Sequence, residues 1–578
     1  CRLVDSNALN LHDVFASWPR KATRAPARLH ESTSEELAEL AIRCPDLEGI
    51  NLQQIGLRGV IPSELGRLGR LRYLNLAGNF LHGGIPPELG DLSSMEVLTL
   101  QGNSLSGTIP LELCKLLHLR ALDLGDNQLS GSIPPQIGNL IGLEQLYLPT
   151  STLNGSIPTE LGRLGRLQEL SLVWNRLSGS LPREIANLSS LITIRLSRNS
   201  ISGNIPPELG SLGSLSMLDL SNNQLVGSLP PELGNLSSLA RMLVDGNSIN
   251  GSIPAELGRL SHLETLHLYI NQLSGSLPSE LGNLSSLSDL QALGNSFSGN
   301  IPSELGRLDR LRALDFAVNQ LSGSLPPELG KLSNLIYMRF FDNYISGSIP
   351  PWLGGLSRLK VLDFSDNQLS GSVPPELGQL SSLNTLLFRN NQLNGSLPPE
   401  LGKLSSLLDL GLSENFIRGS IPSELGGLVR LLVLRLSHNQ LNGSVPSELG
   451  KLSMMAIMAA DHNFLSGSLP KELGKLTRLT RLHLTGNTLI SGSLAALEGM
   501  EYLDELSADD CSFSAGGTLP PRLRVLQLSG NNLTTVPIEW LTQRLDSLRT
   551  LRLDGNSISN WDLKGVFPDT AFDPNDGG

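Results

Sequence analysis

An asparagine recurs every 24 residues along most of this chain, and this spacing constrains the fold more than any other feature. Eighteen positions at this step run from Asn79 to Asn487, and seventeen of them hold Asn, with Ser151 as the exception. A period kept over so many copies is typical of a solenoid, in which each coil packs only on its neighbours. We call these residues the ladder positions and name each coil after its ladder residue.

A single coil contains the signals of several short elements. The coil of Asn391 reads LSSLNTLLFRNNQLNGSLPPELGKL. Leucines alternate with variable residues before the Asn, which predicts a short strand with one buried face. The Asn side chain offers both a donor and an acceptor, so stacked copies can bond the backbone of neighbouring coils. The later Pro, Glu and Gly predict an extended segment followed by one helical or 3₁₀ turn.

The phrase LxxLxLxxNxLxGxIPxxLGxL, which covers residues 47–556, resembles the plant-specific class of leucine-rich repeat. That class occurs in ectodomains of receptor-like kinases, in receptor-like proteins and in polygalacturonase-inhibiting proteins. The resemblance implies an α/β solenoid: a right-handed superhelix with a parallel concave sheet, second short strands and 3₁₀ or short helical convex turns. Side chains six, four, two and one residues before each ladder position are expected to point outwards, and we call these positions the concave face.

The pattern divides the chain into three segments. Residues 1–46 are predicted to form an N-terminal cap with a short helix at roughly 33–43 that begins at Thr33 or Ser34. Residues 47–556 form a solenoid of about 22 coils, which we expect to be one elongated domain. Residues 557–578 are a C-terminal tail.

Composition excludes several classes of partner. The chain has 43 basic and 55 acidic residues and a formal net charge of −12, with no cluster of Lys and Arg. We therefore expect no nucleic-acid or anionic-membrane surface. No apolar run approaches the length of a membrane span, and no motif for a cofactor is present, so we expect neither in this chain.

Cysteines and sequons bear on the cellular compartment. Cys114 and Cys511 replace a turn Gly and a ladder Asn, so both are interpreted as buried structural thiols. Cys1 and Cys44 flank the cap and could form a disulfide in a secreted protein, but the sequence leaves both states open. Eight N-x-S/T sequons are possible glycosylation sites, and most also arise as by-products of the repeated phrases: Asn154, Asn187, Asn235, Asn250, Asn283, Asn394, Asn442 and Asn532.

Apolar residues concentrate in two regions of the concave face, and such patches commonly mark partner surfaces. The first comprises Tyr147, Pro149, Thr150, Val173 and Trp174. The second comprises His267, Tyr269, Ile270, Leu293, Val318, Tyr337, Phe341 and Leu387. Within it, the residues two before the ladder position in successive coils are expected to form an apolar stripe, which consists of Tyr269, Leu293, Ala317 and Phe341. Arg339 and Arg389 are candidate direct contacts. The alternatives are harmless drift of single residues and, for Arg339, a charge ladder between Asp315 and Asp363.

The histidines and glutamates have simpler explanations than metal binding or catalysis. His438 and His462 occupy equivalent places in adjacent coils, with Asp461 and His483 nearby, but we interpret them as solvated residues and expect no metal site. The glutamates of the PPEL phrases stand at turn starts, where the helix dipole explains them. No catalytic motif is present, so we expect no enzyme activity.

The leading hypothesis is a non-enzymatic recognition module, resembling a receptor ectodomain. It would bind a protein, peptide or glycan on its concave or lateral face, outside the cell or at the cell surface. One alternative, implied by the resemblance to polygalacturonase-inhibiting proteins, is an inhibitor of a secreted hydrolase. The other is a cytoplasmic protein-interaction scaffold, which the sparse cysteines would suit.

Overall fold

Contacts divide the chain into an N-terminal unit, residues 1–296, and a C-terminal unit, residues 297–578. A computed structural model of the protein describes residues 34–515, 518–536 and 548–559. Both units are built from the same coil, which contains a main strand of three residues, a second strand of two to five residues in most coils, and a 3₁₀ turn. This confirms the predicted solenoid class and its parallel strands.

The main strands are parallel, and each pairs with the strand one coil away. In the described part of the C-terminal unit, for example, Leu386 lies opposite Leu362 on one side and Leu410 on the other. The N-terminal unit has the main strands Gly49–Asn51, Tyr73–Asn75, Val97–Thr99, Ala121–Asp123, Gln145–Tyr147, Glu169–Ser171, Thr193–Arg195, Met217–Asp219, Arg241–Leu243, Thr265–His267 and Asp289–Gln291. The C-terminal unit has Ala313–Asp315, Tyr337–Arg339, Val361–Asp363, Thr385–Leu387, Asp409–Gly411, Val433–Arg435, Ile457–Ala459, Arg481–His483, Glu505–Ser507, Val525–Gln527 and Thr550–Arg552.

Second strands and 3₁₀ turns complete the coils, as the resemblance to the plant-specific class implies. The second strands are Arg58–Val60, Phe80–Gly83, Ser104–Gly107, Gln128–Ser132, Thr152–Asn154, Ser202–Gly203, Gln224–Leu225, Asn250–Gly251, Gln272–Ser276, Ser296–Asn300, Gln320–Gly323, Tyr344–Ser348, Gln368–Ser372, Gln392–Asn394, Arg418–Ser420, Gln440–Gly443, Phe464–Ser468, Leu489–Ser493 and Ser512–Ala515. The 3₁₀ turns are Ser63–Arg67, Pro87–Asp91, Leu111–Lys115, Pro135–Asn139, Thr159–Arg163, Arg183–Asn187, Pro207–Ser211, Pro231–Asn235, Ala255–Arg259, Ser279–Asn283, Ser303–Arg307, Pro327–Lys331, Pro351–Gly355, Pro375–Gln379, Pro399–Lys403, Ser423–Gly427, Ser447–Lys451, Lys471–Lys475 and Leu494–Leu497.

The α-helix Ser34–Arg43 lies before the first coil, as predicted from residues 33–43; Thr33 lies outside the described residues. Its Leu37 and Ala41 are buried, because the helix packs against the first 3₁₀ turn. Among the described residues, no helix is long and apolar enough to cross a membrane. Cys44 follows the helix and is half-buried; Cys1, with which the sequence leaves a disulfide open, lies outside the described residues.

The ladder asparagines hold adjacent coils together through the backbone. The Asn391 side chain is buried, and its Oδ1 accepts a hydrogen bond of 2.8 Å from the N–H of Leu369 in the preceding coil. Its Nδ2 donates to the carbonyl oxygens of Phe364, Phe388 and Arg389 at 2.9, 3.3 and 3.1 Å. One side chain therefore satisfies backbone groups that the turn leaves without partners.

The two buried cysteines fit the coil as interpreted from the sequence. Cys511 replaces a ladder Asn, and its thiol lies 3.4 Å from the carbonyl oxygen of Leu484, the group that an Asn would contact there. Burial raises the pKa of both the Cys511 and the Cys114 thiols to about 11. Both cysteines are therefore held as neutral thiols in the coil core.

Ser151 breaks the ladder without disturbing the backbone. Its N–H donates to the carbonyl oxygen of Trp174 at 3.2 Å, as the N–H of Asn127 does to Thr150 one coil earlier. Its hydroxyl oxygen is buried and has no hydrogen-bond partner among the described residues. The short side chain therefore leaves backbone groups near it without the bonds that an Asn makes.

Restoring the ladder with Ser151→Asn is expected to raise the free energy of unfolding by about 1 kcal/mol. The new carboxamide would reach the backbone groups that the serine misses. The urea midpoint of the variant measures the effect, with Ser178→Asn at an exposed site as the control. A lowered midpoint in Ser151→Asn alone would show that the coil cannot accept the larger side chain.

Candidate functional site

The residue directly before each ladder position has a left-handed backbone, and we call it the turn position. Across the described coils its φ angle runs from 49° at Thr150 to 76° at Gly486. Gly, Asp or Asn occupies thirteen of these positions, as expected for residues that tolerate this conformation. For β-branched or bulky residues the same backbone is unfavourable by about 1–2 kcal/mol.

Four turn positions in the candidate regions break this preference: Thr150, Trp174, Ile270 and Val318. Three of them also carry large apolar side chains into solvent, with exposed fractions of 54% for Trp174, 58% for Ile270 and 38% for Val318. Backbone strain and hydration therefore both disfavour these residues. An observed outlier of this kind points to a functional use of the side chain.

The variant Ile270→Asn is expected to raise the free energy of unfolding by about 1 kcal/mol, because Asn tolerates a left-handed backbone. Asn already occupies the equivalent position in two coils, as Asn222 and Asn390. Urea unfolding measures the gain. Ile141→Asn is the matched control, since Ile141 is also exposed but its φ is not positive. An equal gain in the control would attribute the effect to surface polarity rather than to backbone strain.

The first candidate region lies on two paired main strands of the N-terminal unit. The Tyr147 hydroxyl donates a hydrogen bond to the Glu169 carboxylate, and burial raises the pKa of this tyrosine. Burial also raises the pKa of Asp123, on the preceding strand, to about 6. The Arg198 guanidinium lies 4.2 Å from the centroid of the exposed Trp174 ring. The region therefore combines an apolar surface with hydroxyl, carboxylate and guanidinium groups.

The second candidate region begins in the N-terminal unit around Tyr269. His267 Nε2 lies 3.1 Å from Asp289 Oδ2, and the His267 and Tyr269 rings are 5.6 Å apart. Tyr269 hydrogen-bonds the buried Asp245, and burial raises the pKa of Tyr269 to about 12 and also raises the pKa of Asp245. Leu293 is half-buried, whereas Ile270 stands out into solvent.

The remaining residues of the second region lie in the C-terminal unit. Tyr337 is exposed, and Phe341 and Leu387 are half-buried. The expected apolar stripe is interrupted there, because Ala317 is fully buried at 0% exposure: its methyl group does not reach past its neighbours. Ala317 therefore adds no exposed apolar surface in the coil before Phe341.

The predicted charge ladder around Arg339 is confirmed. The strand register places Asp315, Arg339 and Asp363 opposite one another, and Arg339 Nη1 lies 3.7 Å from Asp315 Oδ2. Burial raises the pKa of both carboxyl groups, and the arginine opposes this shift. Arg389 forms hydrogen bonds of 2.7 and 3.0 Å to Glu414. Both arginines have structural partners, so their predicted role as ligand contacts stays a prediction.

An open cleft of about 530 Å³ adjoins Phe341. Asp342, Asp366 and Asn390 line it at three successive turn positions, and Asn390 Nδ2 donates to Asp366 Oδ1 at 2.9 Å. Tyr344 closes one side and is exposed. Sequence reasoning missed these residues because it looked mainly for exposed apolar side chains, although two adjacent acidic turn positions were a visible signal.

Exposed aromatic side chains also occur at or just before the start of second strands, at Phe80, Tyr344, Phe416 and Phe464. Each directly follows its ladder position, where Gln is frequent in other coils. These positions lie outside the concave face, where the candidate contacts were sought. The same comparison of one position across coils would have found them.

The structure brings His438, His462 and Asp461 together. The two imidazole rings are stacked, with centroids 4.3 Å apart and planes inclined by 21°. His438 Nε2 lies 3.7 Å from Asp461 Oδ2. His483 is not a member of this cluster, because its Nε2 faces Glu505 Oε1 at 3.3 Å.

All eight sequon asparagines are exposed. Four follow their ladder position by three residues, three end 3₁₀ turns, and Asn532 directly follows a ladder position. None occupies the concave face. Glycans attached at these residues would therefore leave that face uncovered.

Comparisons with known proteins agree with the coil geometry. The family model of the leucine-rich repeat region matches residues 41–181, 208–326 and 390–566, and a model of the single leucine-rich repeat matches residues 190–212 and 358–380. No curated protein sequence matches the chain. Most of the sequence is therefore accounted for by repeat families.

Solved structures of receptor ectodomains are similar over almost the whole chain. A TDR receptor is 31% identical, with a TM-score of 0.86 over 91% of this chain and 91% of that one. The ectodomain of the Arabidopsis receptor kinase HAESA, in complex with an extended IDA peptide hormone, is 31% identical, with a TM-score of 0.79 over 90% and 89%.

A bacterial structure shares the fold over a shorter length. A leucine-rich repeat protein of Leptospira interrogans is 32% identical, with a TM-score of 0.56 over 70% of this chain and 99% of that one. The asparagine ladder, the second strands and the family matches lead to the same conclusion. This chain belongs to the leucine-rich repeat family, with repeats of the plant-specific type.

Proposed function

We propose that this chain is a non-enzymatic recognition module that binds a peptide on its concave face, in the manner of a receptor ectodomain. The observation that carries the proposal occurs once in each unit: Ile270 and Val318 each combine a β-branched side chain, a left-handed backbone and exposure to solvent. Ligand bound over either residue would remove its apolar surface from water. The gain in binding then explains why two residues unfavourable for the free protein are present.

Charge supports a peptide with basic as well as apolar side chains. By position, the concave face carries seventeen Asp and Glu residues but only eight Arg and no Lys. Several of the arginines are neutralised by carboxylates, as Arg339 and Arg389 are. Electrostatic complementarity therefore favours a ligand of positive charge. The acidic cleft beside Phe341 is the natural place for a lysine or arginine of the ligand.

Two observations support a peptide ligand and a place outside the cell. The HAESA ectodomain, to which this chain is similar, was solved with a peptide hormone. In this chain all eight sequon asparagines are exposed and lie off the concave face. Glycosylation would thus be compatible with ligand binding there, as an extracellular or cell-surface receptor requires.

Selection of peptides from a displayed random library tests the proposal. Peptides enriched on the wild-type protein are expected to contain basic and apolar residues. They are expected to bind at least tenfold more weakly to the double variant Ile270→Asn/Val318→Asn. Both substitutions keep the backbone conformation, so a loss of binding would report the side chains themselves.

The matched control is the double variant Ile141→Asn/Val429→Asn, which removes the same two residue types from exposed positions off the concave face. It is expected to bind the selected peptides like the wild type. A library that yields no binders would contradict the proposal. So would peptides that bind both double variants equally well.

A further inference from the structure

The turn positions of two adjacent coils hold His438 and His462, and Asp461 precedes the second of them. One potential ligand atom from each of the three side chains lies within 4.8 Å of the others. His438 is exposed and Asp461 is half-buried, so the cluster is open to solvent on one side. Imidazole nitrogens and a carboxylate oxygen are the ligand set that suits divalent transition metals.

The carboxylate of Asp461 is held in place by its surroundings. Ser437 donates a hydrogen bond of 2.5 Å to Asp461 Oδ1. The other oxygen, Oδ2, remains directed towards His438 Nε2 at 3.7 Å. A hydrogen bond that fixes the ligating carboxylate is typical of the outer shell of a metal site.

The backbone also fixes the spacing of the two histidines. The N–H of His438 bonds the carbonyl oxygen of Asp461 at 2.9 Å, and the N–H of His462 bonds that of Thr485 at 2.6 Å. Space for the second ring comes from Gly486, because a Cβ atom there would lie 2.7 Å from His462 Nδ1. The two rings are therefore held one coil apart and next to each other.

We propose that His438, Asp461 and His462 bind a divalent transition-metal ion such as Zn²⁺ or Cu²⁺. Metal–nitrogen bonds of about 2.0–2.1 Å place two ligands of one ion within about 4 Å of each other. Convergence of the ligand atoms on one ion requires rotation of the exposed His438 ring, because the atoms lie within 4.8 Å of one another here and the two imidazole rings are stacked. Water completes the coordination on the solvent side.

The site lies entirely within the C-terminal unit and does not depend on the proposed peptide ligand. Bound metal would cross-link two coils through two exposed histidines and the half-buried Asp461. An ion with an open coordination position can also accept a ligand atom from a partner. The metal would thus add a second, inorganic component to the recognition surface.

Titration of EDTA-treated, buffer-exchanged protein with zinc chloride by calorimetry tests the proposal. The wild type is expected to bind one ion at this site. The variants His438→Asn, His462→Asn and Asp461→Asn are each expected to bind at least tenfold more weakly. Asn suits the left-handed turn position, so the histidine variants keep the backbone intact. His82→Asn, at an exposed histidine of the N-terminal unit, is the control and should bind like the wild type.

The EPR spectrum of the protein with one equivalent of Cu²⁺ identifies the ligands independently. Coupling to two imidazole nitrogens is expected in the wild type and to one in either histidine variant. Urea midpoints of the metal-free proteins confirm that the variants are folded. The proposal would be overturned if the three variants kept wild-type zinc affinity, or if the copper spectrum were the same in all of them.

Discussion

Replacing Asn391 with alanine is expected to lower the free energy of unfolding by about 3–5 kcal/mol. The substitution removes four hydrogen bonds at one step. Two of their partners, the N–H of Leu369 and the carbonyl oxygen of Phe364, belong to the preceding coil. A buried backbone group without a partner is unfavourable by about 1–3 kcal/mol. The loss therefore exceeds that expected from a typical surface substitution.

Local measurements suit this experiment, because long repeat arrays do not always unfold in one step. Hydrogen exchange should accelerate most in the coils of Asn367 and Asn391, and the urea midpoint should fall. Asn394→Ala is the matched control, since Asn394 is exposed in the same coil and should change stability by less than about 0.5 kcal/mol. Equal effects of the two alanines would mean that the ladder bonds contribute little net stability.

Phe364→Ala is expected to destabilise the C-terminal unit by about 3–5 kcal/mol. The Phe364 ring is fully buried between two others, with centroids 5.4 Å from Phe340 and 6.0 Å from Phe388. The rings are nearly parallel, and neither neighbour can fill the space left by alanine without leaving its own stack. A cavity therefore remains, and its lining loses dispersion contacts.

The leucine variant separates ring stacking from volume. Leu412 and Leu436 occupy the equivalent position in later coils and are fully buried. Phe364→Leu is therefore expected to be destabilising by only about 1 kcal/mol. Urea unfolding measures both variants, with the exposed Phe416→Ala as the control. If Phe364→Leu were as destabilising as Phe364→Ala, stacking of the rings rather than filled volume would dominate.

Period and chemistry made the coil predictable from the sequence. Asparagine at a step of 24 residues predicted the ladder, and Cys511 at the same step was correctly placed as a buried thiol. Arg339 between two aspartates in one column predicted the charge ladder. These predictions succeeded because a repeating backbone places equivalent positions opposite each other, so that distance in sequence translates directly into contact.

Side-chain exposure and backbone conformation were harder to predict from the sequence. The burial of Ala317 depends on the height of its neighbours, which the position in the repeat does not reveal. The frequent Gly, Asp and Asn at the turn position are a sequence signal of a left-handed backbone. Backbone strain at Ile270 and Val318 can be inferred only once their φ angles are known. The approach of Asp461 to the stacked histidines depends on side-chain rotation. The sequence therefore indicated that these residues are near one another but not that their side chains form a cluster.

The most direct test of concave-face recognition compares stability with affinity in one protein. For Ile270→Asn/Val318→Asn, the urea midpoint and the dissociation constant for a library-selected peptide are measured beside the wild type. We expect the midpoint to rise while affinity falls at least tenfold, because the same side chains strain the free protein and bind the ligand. An increased midpoint with unchanged affinity would contradict this expectation.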